Sequence, residues 1–132
     1  MAPRTTKRSA LMSIRPQFAS AILDGTKTVE FRKRALANDI SRVIIYTTAP
    51  IKAVVGEFTV ASQVITSPGA LWRRFSKVAG IDRRSFFEYF EGTTEAVGIV
   101  IDAVTEYDIP ISLGDIEPGA RPPQSFMYVR AA

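Results

Sequence analysis

Three polar side chains that can do chemistry stand at every second position between residues 28 and 32. Thr28 carries a hydroxyl, Glu30 a carboxylate and Arg32 a guanidinium. The residues between them, Val29 and Phe31, are apolar. Alternate residues of a β-strand point to opposite faces of the sheet. We therefore expect the two apolar residues to be buried and the three polar side chains to face one cleft together.

Lys27, at the start of this strand, adds an ammonium group whose pKa would fall if the side chain were partly buried. Arg32 can bind a phosphate or stack on a base, and Glu30 can accept a hydrogen bond from the amino group of a base. The alternative is a structural salt bridge among the same three residues, which contributes little to stability at an exposed position.

The rest of the chain predicts the elements that must position these groups. Apolar runs and alternating patterns predict about five or six strands, and the clearest lie over 9–14, 43–46, 53–65, 95–104 and 125–129. Residues 107–113 can continue the fourth of these strands, and 114–121 are rich in turn residues. Short helices are predicted over 16–24, around 71–79 and after Asp82. This number of strands is too large for a regular alternation of strands and helices. The predicted fold class is therefore α+β: a small, curved, mostly antiparallel β-barrel with about two to four short helices.

Composition limits the chemistry and the setting. The 132 residues suit one domain over 9–132, preceded by a basic and flexible tail over 1–8. The chain has no cysteine and no histidine, which excludes disulfides, thiol nucleophiles, imidazole catalysis and Cys/His zinc sites. The carboxylates are scattered, so we expect no metal and no cofactor. Neither a membrane-spanning run nor a signal-peptide core is visible, and we expect a cytoplasmic protein without a membrane partner.

The formal net charge of +4 favours a polyanionic partner such as RNA, although many proteins of this charge bind nothing acidic. Five cations fall on the two middle helices and form either a solvated face or a path for an RNA backbone. These cations are Arg73, Arg74, Lys77, Arg83 and Arg84. The aromatic group over 86–90 either stacks on bases or packs in the core, and the core interpretation is favoured.

Five blocks in order resemble the ASCH family of the PUA-like superfamily, an RNA-associated group of β-barrels, and the resemblance covers about Leu11 to Val129. The blocks are Ser13-Ile14-Arg15-Pro16, Gly25-Thr26-Lys27-Thr28-Val29-Glu30-Phe31-Arg32, Tyr46-Thr47-Thr48-Ala49-Pro50, Val55-Gly56-Glu57-Phe58 and Pro122-Pro123-Gln124-Ser125-Phe126. The resemblance implies a small barrel with a cleft. Family members include proposed RNA-binding regulators, ribonucleases and amidohydrolases of N4-acylated cytidine.

The resemblance also implies roles for particular residues. In the amidohydrolases a lysine and a threonine three residues later act together; Lys27 matches the lysine, but Glu30 occupies the threonine position and cannot be that nucleophile. In the ribonuclease-like members a tyrosine, a lysine six residues later and a C-terminal serine are implicated. Tyr46, Lys52 and Ser125 match that arrangement. Their structural alternatives are a core phenol, a solvated charge and a hydroxyl at the start of a strand.

The sequence therefore predicts an RNA- or nucleotide-binding domain with a basic cleft for single-stranded RNA or a modified base. The residues expected to bind nucleic acid are Lys27, Thr28, Arg32, Tyr46, Lys52, Arg73 and Arg74. The main alternative is a metal-independent ribonuclease, with catalytic candidates Lys27, Glu30, Tyr46, Lys52 and Ser125. A reader of a modified nucleoside without turnover is a third interpretation, an amidohydrolase is less favoured, and the oligomeric state stays open.

Overall fold

Six strands form one sheet in residues 7–130, which the computed structural model describes. They are β1 (Ser9–Ile14), β2 (Val29–Arg32), β3 (Arg42–Thr47), β4 (Ala53–Thr66), β5 (Ala96–Ile111) and β6 (Phe126–Val129). Their order across the sheet is β2-β5-β4-β3-β1-β6. Only β1 and β3 pair in parallel, and the other neighbours are antiparallel. The predicted α+β class with a curved, mostly antiparallel sheet is confirmed.

Short helices connect and cover the strands. They are α1 (Pro16–Leu23), α2 (Pro68–Phe75), α3 (Arg83–Tyr89) and α4 (Leu113–Ile116), with a 3-10 turn over Ser76–Val78. Ser67 accepts a hydrogen bond from the amide of Ala70 and so caps α2, while Asp82 caps α3 as predicted, accepting from the amide of Ser85. The segment 114–121, predicted to be rich in turns, also contributes part of α4. No helix within residues 7–130 is long and apolar enough to cross a membrane.

Alternation along the strands divides the core between the two faces of the sheet. Ala10, Met12 and Ile14 of β1 lie on one face and pack in a cluster with Phe58 of β4 and Ile22 of α1. The alternate side chains of β1 and β3 point to the other face of the sheet. There Leu11 and Ile44 pack in a second cluster with Leu113 of α4. Both faces of the central strands are therefore covered, which explains why their apolar runs are continuous.

A third cluster joins β2 to the middle helices. Val29 and Phe31 are buried there, as their alternation predicts, against Leu71, Phe86 and Phe90. The ring of Phe31 meets that of Phe86 edge-on, with centroids 4.9 Å apart. The aromatic group over 86–90 is therefore mostly core, in agreement with the favoured interpretation.

The sheet curls without closing. β2 and β6 are its two edge strands, and a side chain of β2, that of Arg32, donates hydrogen bonds to Ser125, just before β6, and to the carbonyl of Ser13 on β1. The gap between the two edges, here called the seam, is thus bridged by a side chain and not by a ladder of backbone bonds. The architecture is a half-barrel.

Residues 1–6 and 131–132 lie outside the described residues. Of the tail predicted over 1–8, the structure therefore describes only residues 7 and 8. Arg8, assigned by sequence to the tail, donates two hydrogen bonds to Asp39, at 2.9 and 2.6 Å, and its guanidinium lies over the ring of Tyr128. The chain is therefore held against the sheet one residue before β1 begins.

Gly56 lies where β4 bends, as predicted, and the register of β4 against β5 shifts beside it. A Cβ at this position would lie 2.5 Å from the carbonyl oxygen of Thr105 on the neighbouring strand. The backbone approaches too closely here for any other residue.

We predict that Gly56→Ala lowers the free energy of unfolding by about 1–3 kcal/mol, because the methyl group would push β4 and β5 apart. Gly69→Ala in α2 is the matched control, since its Cβ would meet only Arg73 at 3.5 Å and alanine favours a helix. Urea denaturation of both variants provides the measurement. Equal stabilities of the two variants would contradict the prediction.

Candidate functional site

A cleft of about 1150 Å³ opens at the seam of the half-barrel. One wall is formed by α3 and the loop before it, and the other by the ends of β1 and α1 and the segment that leads into β6. Three charged side chains from the start of β2 form its floor: Lys27, Glu30 and Arg32. The cleft therefore lies where the motif identified in the sequence meets the C-terminal segment of the fold.

The three floor residues form one ionic network. Nζ of Lys27 lies 3.4 Å from one carboxylate oxygen of Glu30, and a terminal nitrogen of Arg32 lies 2.8 Å from the other. Lys27 is only 2% exposed and Glu30 only 5%. Alternation predicted that Glu30 would face the cleft; it lines the cleft and is buried there between two cations. Removing one charge from this buried network is costly to stability, because the remaining charge would be buried without a partner.

The environment shifts the pKa values of two of these groups. Burial lowers the pKa of the Lys27 ammonium more than the adjacent Glu30 carboxylate raises it, so the net pKa is below its usual value. Burial would raise the pKa of Glu30, but Arg32 and Lys27 outweigh it, and the net pKa is lowered. Glu30 is therefore a firmly ionised carboxylate and a weak general base.

Arg32 holds the two edges of the sheet together. Its Nη1 donates to Oγ of Ser125 at 3.2 Å, and its Nη2 donates both to the carbonyl of Ser13 at 3.0 Å and to Glu30. Its Nε is buried and has no partner among the described residues. A phosphate could use this guanidinium as a bidentate ligand only by displacing Ser13, Ser125 or Glu30.

Lys27 fixes the loop that leads into α3. Its Nζ donates to the carbonyl of Ala79, and the amide of Thr28 donates to the carbonyl of Val78 at 3.1 Å. Gly80, with φ +63°, packs directly on the aliphatic stem of Lys27. The buried lysine is therefore a clamp between β2 and the wall of the cleft as well as a floor charge.

The mouth of the cleft carries a second set of cations, here called the mouth cations: Arg15, Lys33 and Arg34. All three are exposed and line the cleft. Nζ of Lys33 lies 5.0 Å from the ring centroid of Tyr89, and the guanidinium of Arg34 lies 4.7 Å from that of Phe126. Sequence reasoning did not select them, although Lys33 and Arg34 directly follow the motif.

The structure brings together four of the residues selected from the sequence: Lys27, Glu30, Arg32 and Ser125 all line the cleft. It also adds Tyr89, which is 40% exposed and borders the cleft. Neutral polar side chains complete the lining, and these are Ser13, Gln17, Thr48, Ser85 and Gln124. The site thus combines charged, hydroxyl, amide and aromatic groups within one concave surface.

The other selected residues do not line this cleft. Thr28 is half-buried just before β2, and Tyr46 is 4% exposed in the apolar cluster that includes Val54 and Leu113. A ring so buried cannot stack on a base unless its neighbours move. Lys52 is exposed after the turn that ends β3, with φ +52°.

Arg73 and Arg74 lie in the last turn of α2, also outside the cleft lining. Within residues 7–130 no group of three or more histidine, cysteine, aspartate or glutamate residues comes together in a way that could hold a metal ion.

Comparisons with known proteins give the chain its relatives. It is 34% identical over 128 residues to the "ASCH domain-containing ribonuclease" of Zymomonas mobilis, covering 94% of this chain and 86% of that protein. A crystal structure of ASCH from Zymomonas mobilis superposes with a TM-score of 0.86 at 35% identity, covering 96% of this chain and 90% of that one. Two further crystal structures of that protein are of mutants, one with a tyrosine changed to phenylalanine and one with a serine changed to alanine.

A second relative is the large ribosomal subunit protein uL22 of Ureaplasma parvum, 31% identical over 126 residues. This match covers 95% of the present chain but only 40% of the ribosomal protein. No family model matches the chain.

We predict that Glu30→Gln lowers the free energy of unfolding by about 3–5 kcal/mol near neutral pH, because it leaves two buried cations without their counter-charge. The pKa of Glu30 is lower in the folded than in the unfolded protein. Its contribution is therefore present above the usual glutamate pKa of about 4.3 and is lost as the pH falls through the folded value. Urea denaturation between pH 7 and pH 3 should show the wild-type advantage narrowing below about pH 4.3.

Glu57→Gln is the control for this experiment, because Glu57 also has a lowered pKa beside Arg42 but is partly exposed. Its effect at neutral pH should be the smaller one. A Glu30→Gln effect that does not change with pH would contradict the ionic role of Glu30.

We also predict that Gly80→Ala is more destabilising than Gly92→Ala. Both glycines have a positive φ, which costs alanine about 1 kcal/mol or more at either position. Only at Gly80 would the Cβ also meet the stem of Lys27, at 2.7–2.8 Å, whereas at Gly92 nothing lies within 4 Å. Thermal denaturation compares the two variants, and equal losses would show that the loop before α3 does not depend on its contact with Lys27.

Proposed function

Because the chain belongs to the ASCH domain family, we propose that its cleft binds single-stranded RNA or a nucleotide. One observation supports this function above all: among the described residues, five cations and three carboxylates line one open cleft. The cations are Arg15, Lys27, Arg32, Lys33 and Arg34, and the carboxylates are Glu30, Asp82 and Glu88. An excess of positive charge in a concave site attracts a polyanion.

The lining suits an unpaired base better than a duplex. Tyr89 is partly exposed at the border of the cleft and can contact a base there, and single-stranded bases are the ones free to stack and to present their edges. Ser125 accepts from Arg32 through its oxygen, so its own O–H stays available to donate to a ligand. Gln124 and Thr48 add amide and hydroxyl groups that can pair with the edge of a base.

The remaining candidates keep their predicted roles as part of the proposal. Lys52, Arg73 and Arg74 would contact RNA on a surface outside the cleft lining, and Tyr46 would do so only if the residues that bury it move. The mutants of the Zymomonas protein replaced a tyrosine and a serine, which supports testing Tyr46 and Ser125 in this chain. The expected cytoplasmic location stays a prediction.

A metal-independent ribonuclease is the second candidate, because the Zymomonas relative carries that name. The 2′-hydroxyl of the ribose would attack the adjacent phosphorus and lose its proton to a base, while the departing 5′-oxygen gains a proton. Glu30, with its lowered pKa, is a poor base for this step. Lys27 is the other ionisable group of the floor whose pKa is lowered, but it is nearly inaccessible. We expect slow turnover. The amidohydrolase function is not proposed, because Glu30 replaces the required threonine.

Binding is tested first. We expect the protein to bind a labelled single-stranded RNA with an affinity that falls steeply with salt, and to bind a duplex of the same sequence less tightly. Ser125→Ala should weaken the single-strand complex by about 1 kcal/mol if its hydroxyl donates to the ligand. An affinity that does not respond to salt would overturn the RNA-binding proposal and favour a neutral small ligand.

Cleavage is tested separately, with the same RNA incubated in EDTA. The variants are Lys27→Ala, Glu30→Gln, Tyr46→Phe, Lys52→Ala and Ser125→Ala. Cleavage that survives EDTA and is lost in Tyr46→Phe, Lys52→Ala or Ser125→Ala, with RNA binding retained, would establish the ribonuclease. Cleavage that is equal in all five variants would indicate a contaminating nuclease and leave binding as the function.

A further inference from the structure

We propose that the phosphates of the bound strand lie on the three mouth cations, Arg15, Lys33 and Arg34, and not on the cations of the cleft floor. This inference rests on the proposed RNA-binding function and adds which part of the ligand meets which part of the site. The ligand class is then a single-stranded oligonucleotide whose backbone crosses the mouth while a base enters the cleft.

The floor cations are already engaged by the protein. Lys27 is buried, and it faces the Glu30 carboxylate at 3.4 Å and donates to the carbonyl of Ala79. Both terminal nitrogens of Arg32 donate to groups of the protein, namely Glu30, Ser13 and Ser125. A phosphate at the floor would have to displace these partners and would approach the buried Glu30 carboxylate, which repels it.

The mouth cations, unlike the floor cations, are exposed and have no carboxylate partner among the described residues. All three are exposed, and among residues 7–130 none of them has a carboxylate within 4.0 Å, unlike the exposed Arg84, which pairs with Glu88. The two other carboxylates that line the cleft are engaged elsewhere: Asp82 caps α3 and Glu88 pairs with Arg84. The mouth therefore presents positive charge that no nearby carboxylate neutralises, as a phosphate backbone requires.

Two of the mouth cations are also held in place. Lys33 lies over the ring of Tyr89 on the α3 side of the cleft, and Arg34 lies over the ring of Phe126 on the β6 side. Stacking on an aromatic ring restricts a long side chain before the ligand arrives, which lowers the entropy lost on binding. The cleft between them is lined by hydroxyl and amide groups, which match a base or a ribose better than a phosphate.

A salt titration separates the two sets of cations. The probe is a fluorescein-labelled single-stranded RNA of about ten nucleotides, and fluorescence polarisation gives its affinity across a series of salt concentrations. Each single-strand phosphate contact contributes about 0.7 to the slope of log affinity against log salt, or about fivefold in affinity at about 0.1 M salt. We expect the triple variant Arg15→Gln, Lys33→Gln, Arg34→Gln to lose about 2 units of slope.

The matched control is the double variant Lys7→Gln, Arg121→Gln, which removes two exposed cations that do not line the cleft. It should leave the slope unchanged, and thermal denaturation should show both variants folded, because all five positions are solvent-accessible. Gel electrophoresis of the probe confirms that it stays intact.

Three results are distinguishable. A reduced slope in the triple variant alone supports the inference. A slope that is kept in the triple variant, whether or not the control variant loses it, overturns the inference and leaves RNA binding standing, with its phosphate contacts on another surface. A wild-type protein that does not bind the probe at any salt concentration overturns the proposed function and the inference together.

Discussion

The guanidinium of Arg32 is the interaction on which the rest of the site depends. A sheet of six strands that curls without closing leaves two edges facing each other, and an unbridged gap would expose their backbone groups. Arg32 reaches from one edge strand to Ser125, just before the other edge strand, and to Ser13 on the strand beside it. Because a guanidinium offers five donors in a fixed plane, one side chain can join three segments of the chain at this point.

Placing a guanidinium there requires a counter-charge, and Glu30 supplies it. Glu30 also accepts from the amide of Phe31 at 3.2 Å, so its carboxylate satisfies a backbone donor of the edge strand as well as the two cations. Lys27 in turn fastens the loop before α3. The same three residues that look catalytic in the sequence thus position both walls of the cleft, and a network of this kind favours one arrangement of the fold over its competitors.

The strands, the helices and the three floor residues of the cleft could be predicted from the sequence. The mouth cations could not. Alternation over residues 28–32 predicted that Val29 and Phe31 are buried, because a strand has a period of two whatever surrounds it. The engagement of Arg32 depends on Ser125, 93 residues along the chain, and no local pattern predicts that contact. Tyr46 shows the same limit, because the cluster that buries it includes Leu113 of α4, which lies far along the chain. Arg15 is a single exposed cation with no periodic partner, and only the curl of the sheet brings it to Lys33 and Arg34.

The placement of β1 and β6 has a consequence for how the molecule assembles. β1, the first strand, pairs on one side with β3 and on the other with β6, which is the last strand. Ser13 donates to the carbonyl of Pro123 across 110 residues of chain. The seam can therefore close only after nearly the whole domain has left the ribosome, since domains are made from the N-terminus at a finite rate. A nascent chain that lacks β6 has β2 and the floor residues but not the second wall, so the cleft is absent until synthesis has passed residue 126 and the last strand has docked.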